Sequence, residues 1–572
     1  MIWGPMPLAD GGTRFTLWAP GQAALGLQIE GRPSLPMVPG DAGWFACDTD
    51  AGPGTLYRFV LDDGTAVPDP ASRLQGPDVH DASIVVDPAH DWQHRDWAGR
   101  PWEDAVIYEL HVGAMGGYAG VAAALPRLAA LGITAIELMP LADFSGTRNW
   151  GYDGVLPFAP DSSYGTPAEL KALIDRAHGL GLMVFLDVVY NHFGPDGNYL
   201  AAYAPDFFTP DVPTPWGPAI DFAREPVARF FIDNALYWLT EYRFDGLRFD
   251  AVHAIADPGF LDRLAGEIRA TIAPGRHVHL MLENERNDAR RLERGYDAQW
   301  NDDFHNVLHV LLTDEHHAYY ADFADRATER LARCLAEGFI YQGEGSPNHD
   351  GRPRGMPSAH LPPTRFVAFL QNHDQIGNRA LGERLTRLVA PDRLRAATGL
   401  LLLCPQIPLL FMGDETGSQA PFLFFTDFHD ALADAVRNGR RAEFAKFPAF
   451  ADPEQRARIP DPNDPATFAA SRPTPGPDAD AWTALYTDLL AIRRNHIVPH
   501  LPGCTELDAA VLGDKAVLAR WRLGQATLTL ALNIGDAPVP LAAPAGDCVV
   551  TIGDGIADGR LAPATFVGWI GE

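Results

Sequence analysis

Residues 244–283 read FDGLRFDAVHAIADPGFLDRLAGEIRATIAPGRHVHLMLE, and this stretch decides the predicted fold. Its two apolar runs, Gly246–Ala251 and Val278–Glu283, have the length of buried strands. Between them, Phe260–Ile272 places apolar residues at helical spacing. A strand, a helix and a second strand in this order are typical of a parallel βαβ unit.

The same alternation continues on both sides of this unit. Apolar runs predict eight strands: Val106–Val112, Ala135–Met139, Met183–Val188, Gly246–Ala251, Val278–Glu283, Ala298–Trp300, Phe366–Leu370 and Ile407–Phe411. Amphipathic stretches predict helices at Val121–Leu131, Pro167–Gly179, Val227–Glu241, Phe260–Ile272 and Asp392–Leu403. Eight strands with intervening helices favour a closed barrel over an open sheet, so we expect an α/β protein with a (β/α)8 TIM barrel.

Both flanks of the barrel contain short apolar runs broken by Gly, Pro and Asp, without a helical period. This change predicts an N-terminal β-sandwich domain at residues 1–95, the barrel at 96–500 and a small C-terminal β domain at 501–572. Within the barrel region, residues 413–478 have poor periodicity and predict a long, partly ordered insertion. The stretch Ala481–Asn495 has helical spacing and predicts the last barrel helix.

The chain is strongly acidic. Its 572 residues include 74 Asp and Glu against 45 Lys and Arg, which gives a formal net charge of -29. This charge repels phosphate backbones and anionic lipid, so we expect neither a nucleic acid nor a membrane as partner. An uncharged substrate is compatible with it, and the oligomeric state stays open.

The five cysteines show neither close pairs nor metal-ligand spacing. We therefore expect no disulfide framework, no zinc site and no cofactor. The N-terminal residues lack a basic region followed by an apolar stretch, and no run of about 18 apolar residues occurs. The expected location is the cytoplasm.

Four of the predicted strands end in polar residues, where active groups collect in barrels of this kind. The segments are DVVYNH (Asp187–His192), FDGLRFDAVH (Phe244–His253), LMLENERND (Leu280–Asp288) and LQNHDQIGN (Leu370–Asn378). Buried carboxylates are costly without partners, so several acids on one rim indicate a site and not accidental packing. Hydrolysis of a glycosidic bond needs two carboxyl groups, one at the anomeric carbon and one at the leaving oxygen.

The four segments resemble, in order and spacing, the conserved regions of the α-amylase superfamily of glycoside hydrolases. The resemblance implies that Asp250, in GLRFD, is the nucleophile and that Glu283 is the proton donor and later the base. It also implies that Asp374, in NHD, is a third acid that grips sugar hydroxyls. For a retaining enzyme, the carboxyl groups of Asp250 and Glu283 are expected about 5 to 5.5 Å apart.

Neighbouring side chains fit these roles. Arg248 lies two positions before Asp250 on a strand, so both side chains point to one face and the guanidinium can keep the nucleophile ionised. Glu283 must be protonated when substrate binds. We therefore expect burial and nearby acids to raise its pKa from about 4.3 toward about 6.

Further residues at the strand ends are expected to bind substrate. His192 and His373 are expected to donate hydrogen bonds to sugar hydroxyls, although a satisfied core role is an equal alternative for each. Tyr152, in NWGYDG, can offer an apolar face to the same sugar. Asn191 stands where calcium-dependent amylases have an ion ligand, but no acidic cluster accompanies it, so we expect no metal. The remaining candidates are Asp187, Asn372, His253 and Asp303.

Local sequence narrows the resemblance to the malto-oligosyltrehalose trehalohydrolase family. The stretches that carry it are ELMPLADFSGTRNWGYDG (137–154), LENERND (282–288), AQWNDDFHNVLHVLLTDE (298–315), LQNHDQIGNRALG (370–382) and GRRAEFAKFPAF (439–450). The resemblance implies retaining hydrolysis of the α-1,4 bond between a maltooligosaccharide and the terminal trehalose of maltooligosyltrehalose, which releases trehalose. Candidate lid elements are Asp303, His305 and the aromatic insertion Phe422–Phe428, since long irregular loops often cover active sites.

Two alternatives remain at this point. Glycogen branching or debranching enzymes share the N-terminal module, and branching enzymes have a first strand like YELHVG at 108–113. Branching enzymes usually have Ser where Asn372 stands. Phe249, in place of the usual Leu, and Asp414, in place of Glu or Gln, are small departures from the superfamily pattern. A non-catalytic glycan-binding protein is the alternative of another class, which the presence of all three acids and Arg248 disfavours.

Overall fold

A closed barrel of eight parallel strands forms the centre of the structure, a computed structural model that describes residues 2–9, 11–214 and 217–571. In chain order the strands are β1 Ile107–Leu110, β2 Ala135–Leu138, β3 Met183–Val188, β4 Gly246–Phe249, β5 His279–Leu282, β6 Ala298–Trp300, β7 Phe366–Ala368 and β8 Ile407–Phe411. β1 pairs with β8, which closes the barrel. All eight predicted strands and the (β/α)8 class are confirmed.

Helices surround the barrel between the strands. The longer ones are Gly117–Leu131, Pro167–Gly179, Glu225–Thr240, Pro258–Thr271, Asp302–Thr313, Ala327–Glu337, Pro391–Leu403 and Ala479–Ile492. Asp302–Thr313 had not been predicted, because buried polar residues such as Asp303, His305 and His309 interrupt its apolar pattern. Among the described residues, no helix is long and apolar enough to cross a membrane.

Small β-sheets precede and follow the barrel along the chain. The N-terminal strands are Met6–Pro7, Thr13–Trp18, Gly26–Ile29, Leu35–Pro36, Val38–Pro39, Trp44–Thr49, Leu56–Val60, Ala66–Val67 and Ser83–Ile84. The C-terminal strands are Thr505–Gly513, Ala516–Leu523, Ala526–Asn533, Val539–Pro540, Asp547–Ile552, Ile556–Ala557, Arg560–Leu561 and Thr565–Gly571. The domain limits at residues 95 and 500 stay predictions, and both lie between these strands and the barrel elements.

The insertion after β8 contains three helices, Asp430–Glu443, Pro453–Arg456 and Pro465–Ala470. Asp430–Glu443 has no buried residue, so its position in the fold does not come from burying an apolar face. Its sequence, DALADAVRNGRRAE, is nevertheless rich in good helix formers. The aromatic part of the insertion is different, because Phe422 and Phe425 are fully buried.

Strand register brings the candidate acids to one level at the C-terminal rim. Asp187 of β3 pairs with Arg248 of β4, and Phe249 of β4 pairs with Leu282 of β5. The next residues, Asp250 and Glu283, therefore leave the barrel side by side. Apolar side chains close the barrel interior below them, among them Ile107, Ala135, Phe185, Met281 and Val367.

Candidate active site

Asp250 follows β4, and two donors hold its carboxylate. Arg248 Nη1 donates to Oδ1 at 2.7 Å, and Asn191 Nδ2 donates to Oδ2 at 2.8 Å. Burial alone would raise the pKa of Asp250, but Arg248, Asn191 and His192 outweigh it and hold the pKa below its ordinary value. The side chain keeps 14% exposure, so an ionised, oriented carboxylate is accessible from the cleft.

Glu283 follows β5 and has the opposite electrostatic environment. Its Oε2 accepts a hydrogen bond from the backbone N–H of Ala251 at 2.6 Å, while Arg248 Nη2 lies 3.9 Å away. Burial raises the pKa of Glu283 well above its ordinary value; Arg248 opposes this shift, and the charges of Asp250 and other nearby acids add to it. This environment favours the protonated form of Glu283, the form that a proton donor needs.

The backbone after the nucleophile has an unusual conformation. Ala251 has a φ of +40°, in the left-handed region that residues other than glycine rarely adopt. This turn directs the Ala251 N–H to Glu283 Oε2, and the next N–H, from Val252, donates to the Glu283 carbonyl at 3.1 Å. Two consecutive backbone amides therefore hold Glu283 against the chain segment that carries Asp250.

Arg248 is buried between the acids of the rim. Its Nη1 donates to both oxygens of Asp187, at 2.9 and 2.8 Å, in addition to Asp250. The guanidinium carbon lies 4.2 Å from the centre of the Trp300 ring, a contact that stabilises a buried cation. Burial raises the pKa of Asp187 to about 6, although Arg248 opposes the shift. Arg248 is thus the main positive charge beneath the cleft.

His373 and Tyr152 connect Asp187 to β1. Tyr152 Oη donates to Asp187 Oδ2 at 2.6 Å and accepts from His373 Nε2 at 2.9 Å. His373 Nδ1 donates to Glu109 Oε1, and its backbone N–H donates to Oε2 of the same carboxylate at 3.1 Å. Burial lowers the pKa of His373, but Glu109 outweighs burial and raises it overall. Both ring nitrogens of His373 therefore have protein partners, and Glu109 favours the protonated ring.

Asp374 lies beside His373 and is the most accessible of the three acids. Its side chain is 51% exposed, and Oδ1 accepts from Asn378 Nδ2 at 2.9 Å. Asn372 positions it, because the Asn372 Oδ1 accepts from the Asp374 N–H at 2.9 Å and caps the short helix His373–Gly377. The side chain of Asn372 thus acts on the backbone that presents Asp374.

His192, His253 and Asn191 lie on the nucleophile side. His192 Nε2 donates to the Tyr152 carbonyl at 2.9 Å, its Nδ1 contacts Asn191 Oδ1, and burial lowers the pKa of His192. His253 Nε2 lies 3.7 Å from Glu285 Oε1, and burial lowers the pKa of His253 as well. Within residues 2–9, 11–214 and 217–571, no group of three or more His, Cys, Asp or Glu is arranged to hold a metal ion.

The structure places Asp303 in the protein interior, away from the cleft. Its carboxylate is fully buried and accepts hydrogen bonds at 2.8 to 3.2 Å from Asn287, Arg354 and the backbone N–H groups of Ile340 and Tyr341. The preceding residue, Asp302, faces the acids of the rim instead. Burial raises the pKa of Asp302 to about 7, and the charge of Asp374 adds to the shift. Asp302 is therefore the acid of this pair that lies at the site.

The other candidate lid elements are also packed inside. His305 is buried, and its Nδ1 bonds to the Leu370 carbonyl at 2.6 Å. Phe422, in the aromatic insertion, stacks on Trp150 with ring centres 5.3 Å apart, and Trp150 Nε1 donates to the Leu423 carbonyl at 2.9 Å. Trp150 in turn contacts His373 edge to face at 5.5 Å. The aromatic part of the insertion therefore braces the wall that carries His373.

Three residues of the site were missed in the sequence: Glu109, Trp300 and Asp302. Strand alternation could have found Glu109, which is two residues after Ile107 in an apolar run and so shares its inward face. Trp300 ends β6 at the rim. The sequence alone does not show which of Asp302 and Asp303 faces the site, because that depends on where their helix begins.

Comparison with known proteins shows the family. The family model described as alpha amylase, catalytic domain, matches residues 87–207, and a domain of unknown function, DUF3459, matches residues 504–569. Malto-oligosyltrehalose trehalohydrolase from Deinococcus radiodurans is 41% identical over 556 residues, which cover 92% of this chain and 90% of that protein. The chain belongs to the malto-oligosyltrehalose trehalohydrolase family.

Two further relatives agree with this membership. The malto-oligosyltrehalose trehalohydrolase of Saccharolobus solfataricus is 41% identical over 453 residues, which cover 76% of this chain and 79% of that protein. The 1.4 Å crystal structure of a Salmonella typhimurium protein described as an alpha amylase has 45% identity and a TM-score of 0.94, and covers 100% of this chain and 99% of that one. The family predicted from the sequence is confirmed, and this trehalohydrolase-family chain is a glycoside hydrolase.

Proposed function

We propose that this chain hydrolyses the α-1,4-glucosidic bond between a maltooligosaccharide and the terminal trehalose of maltooligosyltrehalose, and releases trehalose with retention at the cleaved carbon. One observation carries the chemistry: Asp250 and Glu283, on either side of Arg248, have pKa values shifted in opposite directions. A retaining glycosidase needs one ionised and one protonated carboxyl group. The trehalohydrolase relatives support the choice of substrate.

In the first step Asp250 is the nucleophile. One oxygen of its carboxylate attacks the anomeric carbon of the maltooligosaccharide and forms a glycosyl ester. The bond to O4 of trehalose breaks, the electron pair stays on that oxygen, and Glu283 supplies the proton. Trehalose leaves as a neutral sugar. Arg248 and Asn191 keep Asp250 ionised and oriented through their bonds to its two oxygens.

In the second step Glu283 is the base. Its carboxylate, left ionised by the first step, takes a proton from a water molecule at the position vacated by trehalose. The water oxygen attacks the same anomeric carbon, the ester bond breaks, and the electron pair returns to Asp250. Two inversions restore the α configuration, and the proton on Glu283 readies the site for another cycle.

The remaining residues of the rim are proposed to bind the sugar next to the cleaved bond. Asp374 is half exposed and can accept hydrogen bonds from two hydroxyls. Tyr152 offers its ring, which stacks on His373 with ring centres 5.2 Å apart. Burial lowers the pKa of His192 and of His253, which favours neutral rings, and both are proposed to exchange hydrogen bonds with hydroxyls. Asp187 and Asn372 have protein partners, and we assign them to positioning.

Product analysis on a trehalose-capped maltooligosaccharide tests the proposal. The expected products are free trehalose and the shortened maltooligosaccharide in equal amounts. Because the cleaved bond is an α bond and configuration is retained, the new reducing end should appear first as the α anomer. Proton NMR during the first minutes of turnover measures both results.

The matched control substrate is the same maltooligosaccharide without the trehalose cap. It should be cleaved much more slowly, because the leaving group is then not trehalose. New α-1,6 linkages would instead identify a branching enzyme, and absence of any product from either substrate would leave only glycan binding. Early appearance of the β anomer would contradict the roles given to Asp250 and Glu283.

A second prediction separates the neighbours Asp302 and Asp303. Asp302→Asn removes a negative charge near Glu283, which lowers the pKa of Glu283, so the alkaline limb of the kcat/KM profile should move to lower pH. Asp303→Asn removes the nearer of the two carboxylates paired with the buried Arg354 and leaves only Asp322 at 3.9 Å, so it should reduce the free energy of unfolding by about 3 kcal/mol. pH-rate profiles and urea denaturation measure the two effects.

Each variant serves as the control for the other, because the chemical change is the same at adjacent residues. Asp302→Asn should unfold at the wild-type urea concentration. The placement of Asp302 at the site is wrong if its variant keeps the wild-type alkaline limb, and the interior role of Asp303 is wrong if its variant is as stable as the wild type.

We further propose that this enzyme works in the cytoplasm. All five cysteines are unpaired, and Cys334, Cys404 and Cys504 are buried as thiols. Unpaired cysteines are typical of a reducing compartment. A neutral oligosaccharide is compatible with the net charge of -29.

A further inference from the structure

Glu137, in β2, is a buried acid that the mechanism above does not use. Its side chain is 1% exposed, and neither carboxyl oxygen has a hydrogen-bond partner among the described residues. A buried polar group without a partner is costly and rare in folded proteins. The neighbouring acids all have partners. The burial of Glu137 without a partner therefore needs an explanation of its own.

Strand order places Glu137 between two acids of the site. Glu109 of β1 is its register partner, and Asp187 lies in β3 two residues beyond Phe185, its partner on the other side. Side chains alternate along a strand, and β2 sets Glu137 two residues after Ala135 of the barrel interior. The three carboxyl groups thus lie side by side on the inner wall of the barrel.

Glu109 and Asp187 are already connected through the rim above Glu137. Glu109 accepts from His373, His373 donates to Tyr152, and Tyr152 donates to Asp187. Glu109 and Asp187 are the two ends of this chain of hydrogen bonds, and Glu137 lies between them on the barrel wall. Glu137 has the position that could complete it as a ring.

The protonation state of Glu137 decides whether it can donate a hydrogen bond to the neighbouring acids. Burial raises the pKa of Glu137 well above its ordinary value; the charges of Glu109 and Asp187 add to the shift, and Arg248 opposes it. Arg248 is already shared between Asp187 and Asp250. A protonated carboxyl group is neutral and has one O–H donor. It can therefore lie between two acceptor carboxylates without charge repulsion.

We propose that Glu137 is a positioning residue, a neutral carboxylic acid that binds one ordered water molecule and with it links Glu109 to Asp187. Buried waters occupy polar positions where they find two to four partners, and the unpaired oxygens of Glu137 between two carboxylates form such a position. Glu137 holds Asp187 and Glu109 in place for Arg248 and His373. Because it is neutral, it adds no negative charge beneath Asp250 and Glu283.

Infrared spectroscopy and crystallography test this without any substrate. The difference spectrum between wild type and Glu137→Gln at neutral pH should contain one carbonyl band of a protonated carboxylic acid. The matched control is Glu225→Gln, whose carboxylate is exposed and paired with Arg263, and which should lose only ionised-carboxylate bands. A high-resolution crystal structure should show one water within hydrogen-bonding distance of Glu137 and of Glu109 or Asp187.

Kinetics give a second readout, which rests on the proposed trehalose release. Glu137→Leu cannot bind the water and should lower kcat about tenfold with KM little changed, the effect of one lost hydrogen bond to a charged group. Glu137→Gln keeps a neutral polar group, so it should recover most of this loss. Its alkaline limb should coincide with that of the wild type, since no charge has been removed.

Three results would overturn the inference: an ionised-carboxylate band in the Glu137→Gln difference spectrum, no water beside Glu137 in the crystal, or an alkaline limb shifted to lower pH in Glu137→Gln. If Glu137→Leu fails to fold, the Gln variant still decides through its spectrum. If the wild-type protein releases no trehalose, the proposed function fails, while the infrared and crystallographic results still decide the state of Glu137.

Discussion

Asp250→Asn should lower kcat on trehalose-capped maltooligosaccharide by about 10,000-fold or more, because an amide cannot form the glycosyl ester. Folding should be preserved, since Arg248 keeps its two bonds to Asp187 when the charge of Asp250 is removed. Substrate should still bind, because Asp374 and Tyr152 are untouched. Steady-state kinetics, circular dichroism and substrate titration of the inactive variant measure the three effects.

The matched control is Asp257→Asn, the same chemical change seven residues further along the chain. Asp257 caps the helix Pro258–Thr271 through a 2.8 Å bond from the Gly259 N–H, and Asn caps helices equally well. This variant should keep wild-type kcat. Turnover by Asp250→Asn comparable with the control would rule out Asp250 as the nucleophile.

The truncated variant Asp250→Ala gives a stereochemical check. Added azide can enter the space that the carboxylate leaves and attack the anomeric carbon from that side. The expected product is the β-glycosyl azide, because only one inversion has then occurred. An α-glycosyl azide would place the nucleophile elsewhere.

Glu283→Gln should lower kcat on the same substrate by about 100- to 10,000-fold, because the sugar leaving group then departs without a proton. The variant should fold normally, since a Gln oxygen can accept the Ala251 N–H as Glu283 does. The alkaline limb that reports deprotonation of Glu283 should disappear from its pH profile. Kinetics at several pH values and thermal unfolding provide the measurements.

A substrate with an activated leaving group distinguishes the two acids. A maltooligosyl fluoride needs no proton donor in the first step, so Glu283→Gln should still release fluoride from it, at least in a first turnover. Asp250→Asn should remain inactive on the fluoride, because the nucleophile is missing. Equal loss of fluoride release in both variants would contradict the role of Glu283 as the acid.

The barrel was predictable because its strands are short apolar runs that are buried on both faces. Met183–Val188, Ala298–Trp300 and Ile407–Phe411 have the bounds predicted from the sequence. The predicted strands Gly246–Ala251 and Val278–Glu283 end later than β4 and β5 do, because Asp250 and Glu283 have left the strand ladder. The apolar runs thus predicted the ends of these two strands, where Asp250 and Glu283 lie, to within one or two residues.

The parts of the site that the sequence did not locate depend on tertiary position, which a local pattern does not contain. Asp303 and Asp302 are adjacent at a helix start, and the interior partners of Asp303, among them Arg354 and Asn287, decide which carboxylate points inward. Strand alternation indicates that Glu109 points inward, but its partner His373 lies 264 residues away, so the role of Glu109 depends on the fold. The assigned catalytic roles of Asp250, Glu283 and Asp374 stay predictions until the variants above are measured.

The left-handed turn at Ala251 gives the stereochemical outcome a main-chain origin. Because the amides of Ala251 and Val252 both bind Glu283, the main chain and not the surrounding loops holds the two proposed reactive groups together. Loop changes around the cleft can therefore alter which sugar leaves while the anomer of the product stays the same.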